Sequence, residues 1–483
     1  MASVLITSTS TGMETALVGW LASALVMLGC SSASTPSTPT PSVTVASIAL
    51  STSAATLFAT TTLQLTATPR DASGKALSGQ TITWTSSAPA VATVSPTGLV
   101  TTLSGGAATI TAATGAVKAT AAITSEAVTL VLDSAQQIFH FHQADAFGMS
   151  AVPDMHTALL QRADGSYRVW ISGRFANDSI EGATGLVTTR DFLTYAPVGS
   201  ITTAQPVLIP SCRYPFSVSC GNNFDAYYAG ADWVYPASNG RDLLMLYHGE
   251  TRYYSGTNAP APGNADPGWS VVALARSADS GVTWTGRVPV VSGADAKPAT
   301  PPATGIYGTV EPGIIAANGY IYAFYANFPL VGVSTIQVAR APLSGDAAPG
   351  TWIKYNNGWG AEPGLGGTSS AIVATAGICT RPAQPWPVYS SYINGYLLIF
   401  ICREGWFVSA STDLVNWTTP VQVFNEPNGE FNTTTDENVI LVTRGNAPQV
   451  IGQTGYALYA NTPNWGNAAH ELWLRQFTIR RTP

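Results

Sequence analysis

The sequence predicts an all-β chain in which a small β-sandwich precedes a larger domain built of repeated antiparallel blades. Three observations predict it. Only 10% of the residues are charged while 46% are hydrophobic, and Thr, Ser, Ala and Gly make up the difference, a mixture suited to short strands and tight turns. The runs Leu63-Gln64-Leu65-Thr66-Ala67 and Ile82-Thr83-Trp84-Thr85 alternate apolar and polar residues, the period of half-buried strands. Beyond residue 128 a turn followed by an aromatic-rich strand recurs five times, and internal repetition of this kind marks radial or solenoid architectures. The 483 residues allow roughly two to four domains. The net charge of -6 supplies no basic stripe for nucleic acid and no Lys/Arg cluster for anionic lipid.

Residues 1–30 read as a targeting segment. Ala16 to Leu28 is an apolar run of signal-peptide length, too short to cross a bilayer. It ends in Met27-Leu28-Gly29-Cys30, which resembles the lipobox of bacterial lipoproteins. The resemblance implies lipidation of Cys30 and an exported protein, held at the outer membrane or cell surface, or secreted. One feature departs from that pattern: no Lys or Arg precedes Cys30. Four further cysteines, Cys212, Cys220, Cys379 and Cys402, form an even set that suits disulfides in an oxidising compartment. Residues 31–42 are rich in Ser, Thr and Pro and read as an extended tether.

Residues 43–126 hold about seven short strand signals, enough for an Ig-like sandwich. The strings Leu63-Gln64-Leu65-Thr66-Ala67-Thr68-Pro69, Thr83-Trp84-Thr85-Ser86-Ser87, Val91-Ala92-Thr93-Val94-Ser95 and Gly106-Ala107-Ala108-Thr109-Ile110-Thr111-Ala112 resemble the bacterial group-2 Ig-like domain. That resemblance implies a spacer or adhesive unit with Trp84 in its core.

Residues 127–483 form the repeated domain. Trp170, Leu246, Phe324, Phe400 and Tyr459 occupy equivalent points, spaced 76, 78, 76 and 59 residues apart. A β unit that cannot bury its own face must stack on its neighbours, and five such units predict a five-bladed β-propeller. Six blades is the alternative if residues 128–155 form strands of their own. Ser277-Ala278-Asp279-Ser280-Gly281-Val282-Thr283-Trp284 matches the Asp-box, a structural hairpin turn of sialidase-like and other propellers. Ser411-Thr412-Asp413-Leu414-Val415-Asn416-Trp417 resembles the corresponding turn of glycoside hydrolase families 43 and 32.

Three acids precede the repeat strands at near-equal spacing: Asp154, Asp232 and Glu311. The starts of inner strands open on one face of a propeller, so these acids converge. Glycosidic cleavage needs one carboxyl to protonate the leaving oxygen and another to activate water or attack the sugar. A third can raise the pKa of the acid by like-charge repulsion. The order Asp, Asp, Glu over blades one to three is similar to glycoside hydrolase family 43. The resemblance implies Asp154 as general base, Asp232 as modulator and Glu311 as general acid. Each acid also has a structural reading: a turn cap, a partner for backbone amides, or a tie to the next blade.

His156, His248 and Glu250 lie near these acids in sequence, and Trp233 and Trp406 offer aromatic faces for sugar stacking. All five are candidate substrate-binding residues. His140 and His142 share a strand face, but no further ligand at metal spacing joins them, so no metal site is assigned. No cofactor is expected, with an axial or structural calcium ion left open. No nucleophile elbow, P-loop, zinc-protease motif or dinucleotide fingerprint is present. Two readings follow: an exported, monomeric glycoside hydrolase acting on carbohydrate, or a surface lectin or adhesin that binds glycan without cleaving it. A sialidase-like enzyme is a variant of the first. It needs an arginine triad, for which Arg174, Arg213, Arg252, Arg276, Arg340, Arg403 and Arg444 are the candidates.

Overall fold

The computed structural model describes residues 44–482 apart from the segments 140–148, 152–154, 176–179, 199–206, 213–222, 254–266, 426–434 and 463–469 and residues 301, 303, 304, 376 and 380. The fold class is the one the sequence predicts. Every regular element among the described residues is a strand except one short 3-10 turn at Leu343–Gly345.

The Ig-like module is a sandwich. One layer joins Thr62–Gln64, Leu99–Thr102 and Ala92–Val94; the other joins Thr83–Ser86, Gly106–Thr114 and Val117–Leu132. Leu65, Val100, Ile110 and Ile123 fill the space between, because alternate residues of each strand point inward. Trp84 packs on this core only half-buried. It lies so close under Gly98 that a Cβ there would stand 2.9 Å from the ring.

Among the described residues the remaining strands form five antiparallel meanders, and their innermost strands follow one another in order. The first inner strand is split into Met149–Ala151 and Ala158–Gln161, both paired with Tyr167–Phe175. The other four inner strands are Tyr228–Pro236, Ile306–Ala317, Ala383–Ser390 and Thr435–Val442. Residues 128–155 build no sixth meander among the described residues. The end of Val117–Leu132 and Gln136–Phe139 both pair with Glu471–Thr482 and so complete the last meander. The ring closes where the Tyr167 hydroxyl donates to the Asn446 carbonyl at 2.7 Å and Gln161 Nε2 donates to the Gly445 carbonyl at 3.0 Å. A closed ring leaves no long exposed sheet edge.

The hairpin turns act as the sequence predicts. Asp279 Oδ1 accepts the N–H groups of Val282 and Thr283 at 3.1 and 2.9 Å. Burial pushes its carboxyl up, but these bonds and those from Thr283 and Ser277 together outweigh it and hold the pKa at about 2. The φ of Gly281 is +86°, and a Cβ there would stand 2.3 Å from the Trp170 ring, so only glycine fits. Asp191 and Asp413 accept turn amides in the same way. Cys379 and Cys402 form a disulfide. Cys212 is disulfide-bonded too, to a partner outside the described residues.

The Ig-like module is fused to the propeller. Val117–Leu132 serves both domains, pairing with Gly106–Thr114 through its first part and with Glu471–Thr482 through its last. Phe58 leaves its own module's core and packs with Ile393 and Leu397 of the fourth meander. Arg481 pairs with Glu126, and the Thr419 N–H donates to Thr60 Oγ1 at 2.7 Å.

Candidate active site

Among the described residues the second to fifth inner strands each carry a β-bulge partway along. Register shifts between Ala231 and Trp233, Val310 and Gly313, Ala383 and Trp386, and Glu437 and Ile440. Each places one more residue on the inner strand than on its partner, and a bulge re-aims a side chain away from the pleat. The re-aimed positions are Asp232, Glu311, Gln384 and Asn438. The last three have φ of 45°, 50° and 56°, left-handed values that non-glycine residues seldom hold without a reason.

Asp232 is fully buried. Burial, and then the neighbouring Glu311 carboxylate, push its carboxyl well above the usual range, while the His248 backbone amide pulls weakly the other way. Asp232 therefore keeps its proton where an exposed aspartate has lost it. His156 Nδ1 stands 3.4 Å from Asp232 Oδ1, both side chains at 0% exposure. This contact is no ion pair. Burial brings the His156 pKa down to about 4 against the backbone carbonyls of Gln384 and Pro312, which raise it. Two neutral groups thus meet on the axis, with the Trp386 ring 5.1 Å from the imidazole.

Glu311 sits half-buried one blade further on. Its N–H donates to His248 Nδ1 at 3.2 Å. His248 Nε2 lies 3.3 Å from Glu250 Oε2, and Glu250 is ion-paired with Arg252. Burial alone would raise the Glu250 carboxyl, but Arg252 and His248 outweigh it and hold it below its ordinary value. Tyr228 meets the His248 ring edge-on at 5.9 Å.

The structure thus brings Asp232, Glu311, His156, His248 and Glu250 together. Asp154 and Cys30 lie outside the described residues. Trp233 and Trp406 are placed elsewhere than expected. Trp233 stacks on Tyr235 at 4.5 Å within the core between the second and third meanders. Trp406 is fully buried and donates from Nε1 to the Asp436 carbonyl at 2.9 Å. Both belong to strands buried on each face, where a large ring fills the space between blades rather than meeting solvent. Gln384 and Asn438 went unnoticed in the sequence because they are neutral. The signal was present: Gln384-Pro385 repeats the pattern of Glu311-Pro312.

A cleft of about 290 Å³ opens beside the start of Ile306–Ala317, lined by Tyr307, Phe328, Ser334 and Arg381 among others. Tyr307 lies on the strand that carries Glu311 and stacks on Trp269. Among the described residues one group of metal-type donors converges, Cys379, Cys402 and Glu404. Its two sulfurs are joined to each other and offer no thiolate. Arg252 is tied to Glu250, Arg276 bridges Asp242 and Asp346, and Arg340 stacks on Tyr320 and Trp359. These three guanidiniums are thus engaged within the protein.

Fold and site define an Ig-like module joined to a β-propeller with a carboxyl pair on its axis. Residues 44–125 match the family model of the bacterial Ig-like domain (group 2). No curated protein matches the chain. Among solved structures the chain is similar to the catalytic domain of a Coprinopsis cinerea GH62 α-L-arabinofuranosidase, at 12% identity over 72% of this chain and 96% of that one, TM-score 0.41. It is also similar to an α-L-arabinofuranosidase from Lactobacillus brevis, at 11% identity over 68% and 91%, TM-score 0.40. A third is the Penicillium chrysogenum α-L-arabinanase complexed with arabinobiose, at 12% identity over 72% and 98%, TM-score 0.38.

Proposed function

We propose that the chain is an exported glycoside hydrolase that cleaves oligo- or polysaccharide at the mouth of the propeller channel. One observation carries this reading: a fully buried Asp232 whose carboxyl is pushed well above the usual range by burial and by the half-buried Glu311 on the next blade. Coupled carboxyls of this kind hold a proton to higher pH than isolated ones, and protonating a glycosidic oxygen near neutral pH needs such a proton. Glu311 is the general acid: the coupled pair shares one proton, and when that proton sits on Glu311 it passes to the leaving oxygen as the C–O bond breaks. Asp232 is the modulator. Asp154, by its family resemblance, is the base that takes a proton from the incoming water. Water's hydroxyl ends on the sugar and Glu311's proton on the leaving alcohol. The substrate is a carbohydrate with little charge, since the chain has few charged side chains of its own to meet one. Export follows from residues 1–30, with Cys30 lipidated and residues 31–42 as tether, and the protein acts as a monomer.

The test is hydrolysis of a panel of aryl glycosides and polysaccharides by the full chain, beside Glu311→Gln and Asp154→Asn. Activity lost in both variants, with unchanged circular dichroism, supports the enzyme and both roles. Activity surviving in both discards the site. No turnover on any substrate, with glycan binding retained, replaces the hydrolase with a lectin.

A further inference from the structure

We infer that His248 is a positioning residue for the acid, holding Glu311 through its backbone amide, with Glu250 and Arg252 fixing which ring nitrogen is free to do so. The inference rests on the reading of Glu311 as general acid. The bulge takes the Glu311 N–H out of the strand ladder: Val310 pairs with Ala326 and Gly313 with Phe324, leaving Glu311 and Pro312 between them. Its φ of 45° turns that N–H away from its own sheet. The acceptor comes from the neighbouring blade, His248 Nδ1 at 3.2 Å.

A neutral imidazole has one donor nitrogen and one acceptor, and a partner on one side decides the other. Glu250 supplies that partner. It is 2% exposed, held in its charged form by Arg252, and stands 3.3 Å from His248 Nε2. The Nε2 hydrogen therefore points at Glu250, and Nδ1 keeps its lone pair for Glu311. If Nδ1 carried the hydrogen, two donors would face each other and the left-handed turn at Glu311 would lose its restraint. The carboxyl would then shift. A displacement of about 1 Å in a reacting group can cost about 100-fold in rate.

The experiment compares His248→Ala and His248→Asn on two substrates. One has an alkyl leaving group that must be protonated; the other has a dinitrophenyl leaving group that departs without an acid. Asparagine places its amide oxygen where Nδ1 stood and restores the acceptor without the ring. His248→Ala is expected to lower kcat about 100-fold on the alkyl glycoside with KM little changed, and to leave the dinitrophenyl glycoside nearly unaffected. His248→Asn is expected to recover most of the loss. Equal losses on both substrates, or an asparagine variant no better than alanine, would show the ring acting only as packing and overturn the proposal. Should His248→Ala not fold, His248→Gln takes its place, because its longer arm puts the oxygen at the Nε2 position, out of reach of Glu311. Glu311→Ala, run alongside, separates the two failures. If it shows no dependence on leaving group, the acid assignment itself falls and this inference with it.

Discussion

The junction between the second and third meanders and that between the fourth and fifth solve one problem with different chemistry. At both, a bulge frees a backbone N–H on the inner strand, its residue adopts a left-handed φ, and a side chain from the preceding blade accepts the N–H. At the first junction His248 Nδ1 holds Glu311 at 3.2 Å. At the second, Gln384 Oε1 holds Asn438 at 2.6 Å. The second meander is fastened to the first in a related way, since the Ala231 N–H is shared by Ser172 Oγ and Thr184 Oγ1 at 3.0 and 3.1 Å. Between the third and fourth meanders the inner strands approach closely: a Cβ on Gly313 would stand 1.9 Å from the Pro385 carbonyl oxygen and 2.6 Å from the Pro387 ring. The bulge is therefore architecture, repeated because inner strands must bend and pack around an axis. The first junction differs in that its re-aimed residue is an acid with a second buried carboxyl beside it. The second carries amides at the same positions.

The largest test of this contrast exchanges a charge for an amide at each site. Glu311→Gln should lower kcat on unactivated glycosides by about 10³-fold, within the range general acids contribute, with little change in melting temperature. Asn438→Ala should act the other way round. Alanine at a φ of 56° is strained by about 1 kcal/mol, so stability falls while kcat per folded molecule stays within about threefold, far below the general-acid range. Steady-state kinetics beside thermal melts read both. If Asn438→Ala also abolished turnover, the second junction would share in the chemistry and the contrast would fail.

His156 and Asp232 should give the first junction a pH-dependent contribution to stability. His156 titrates at about 4 in the fold against 6.5 ordinarily. Its contribution is present above 6.5 and lost as pH falls toward 4. Asp232 works in the opposite sense. Its folded pKa is raised, so its contribution is complete below 3.8 and is lost as pH rises through the folded value. Each slope approaches about 1.4 kcal/mol per pH unit, and where the two windows overlap they cancel. Chemical denaturation of the parent chain should thus show little net slope from this pair. His156→Gln should lose stability as pH rises, and Asp232→Asn as pH falls. Parallel profiles for all three proteins would mean that neither group is held neutral by the fold.

Much of this arrangement was legible in the sequence. Periodicity and repeat spacing predicted the strands and the ring, because alternation and turn residues act locally. The Asp-box motif predicted its own hydrogen bonds for the same reason. Asp232 and Glu311 stood out because acids are scarce in the chain. Trp233 and Trp406 could not be placed, since a ring on a strand buried on both faces looks like one at a rim until the neighbouring blade is known. Gln384 and Asn438 were missed for a related reason. A neutral side chain that accepts a backbone N–H from a residue 54 positions away leaves no local trace, and neither does the use of Phe58 to dock one domain on the other.

Removing the acceptor at the second junction sharpens the comparison from the side of stability. Gln384→Leu keeps the volume near the axis but removes the acceptor for the Asn438 N–H, a group buried at 2% exposure. Leaving a buried donor unpaired costs about 1–3 kcal/mol, which equilibrium denaturation resolves. The same change leaves Glu311 and its His248 acceptor untouched, so the ratio of rates on alkyl and dinitrophenyl glycosides should match the parent's. Gln384→Glu supplies the control. Its carboxylate oxygen still accepts the N–H, so the hydrogen bond survives while a charge enters beside His156, whose ring faces the Gln384 carbonyl. An anion there favours the imidazolium and should raise the His156 pKa from about 4, which NMR titration of its ring protons would detect. A leucine variant as stable as the parent would mean that the Asn438 amide finds another acceptor, and that the fourth-to-fifth junction is held by packing rather than by the clamp it shares with the Glu311 side of the ring.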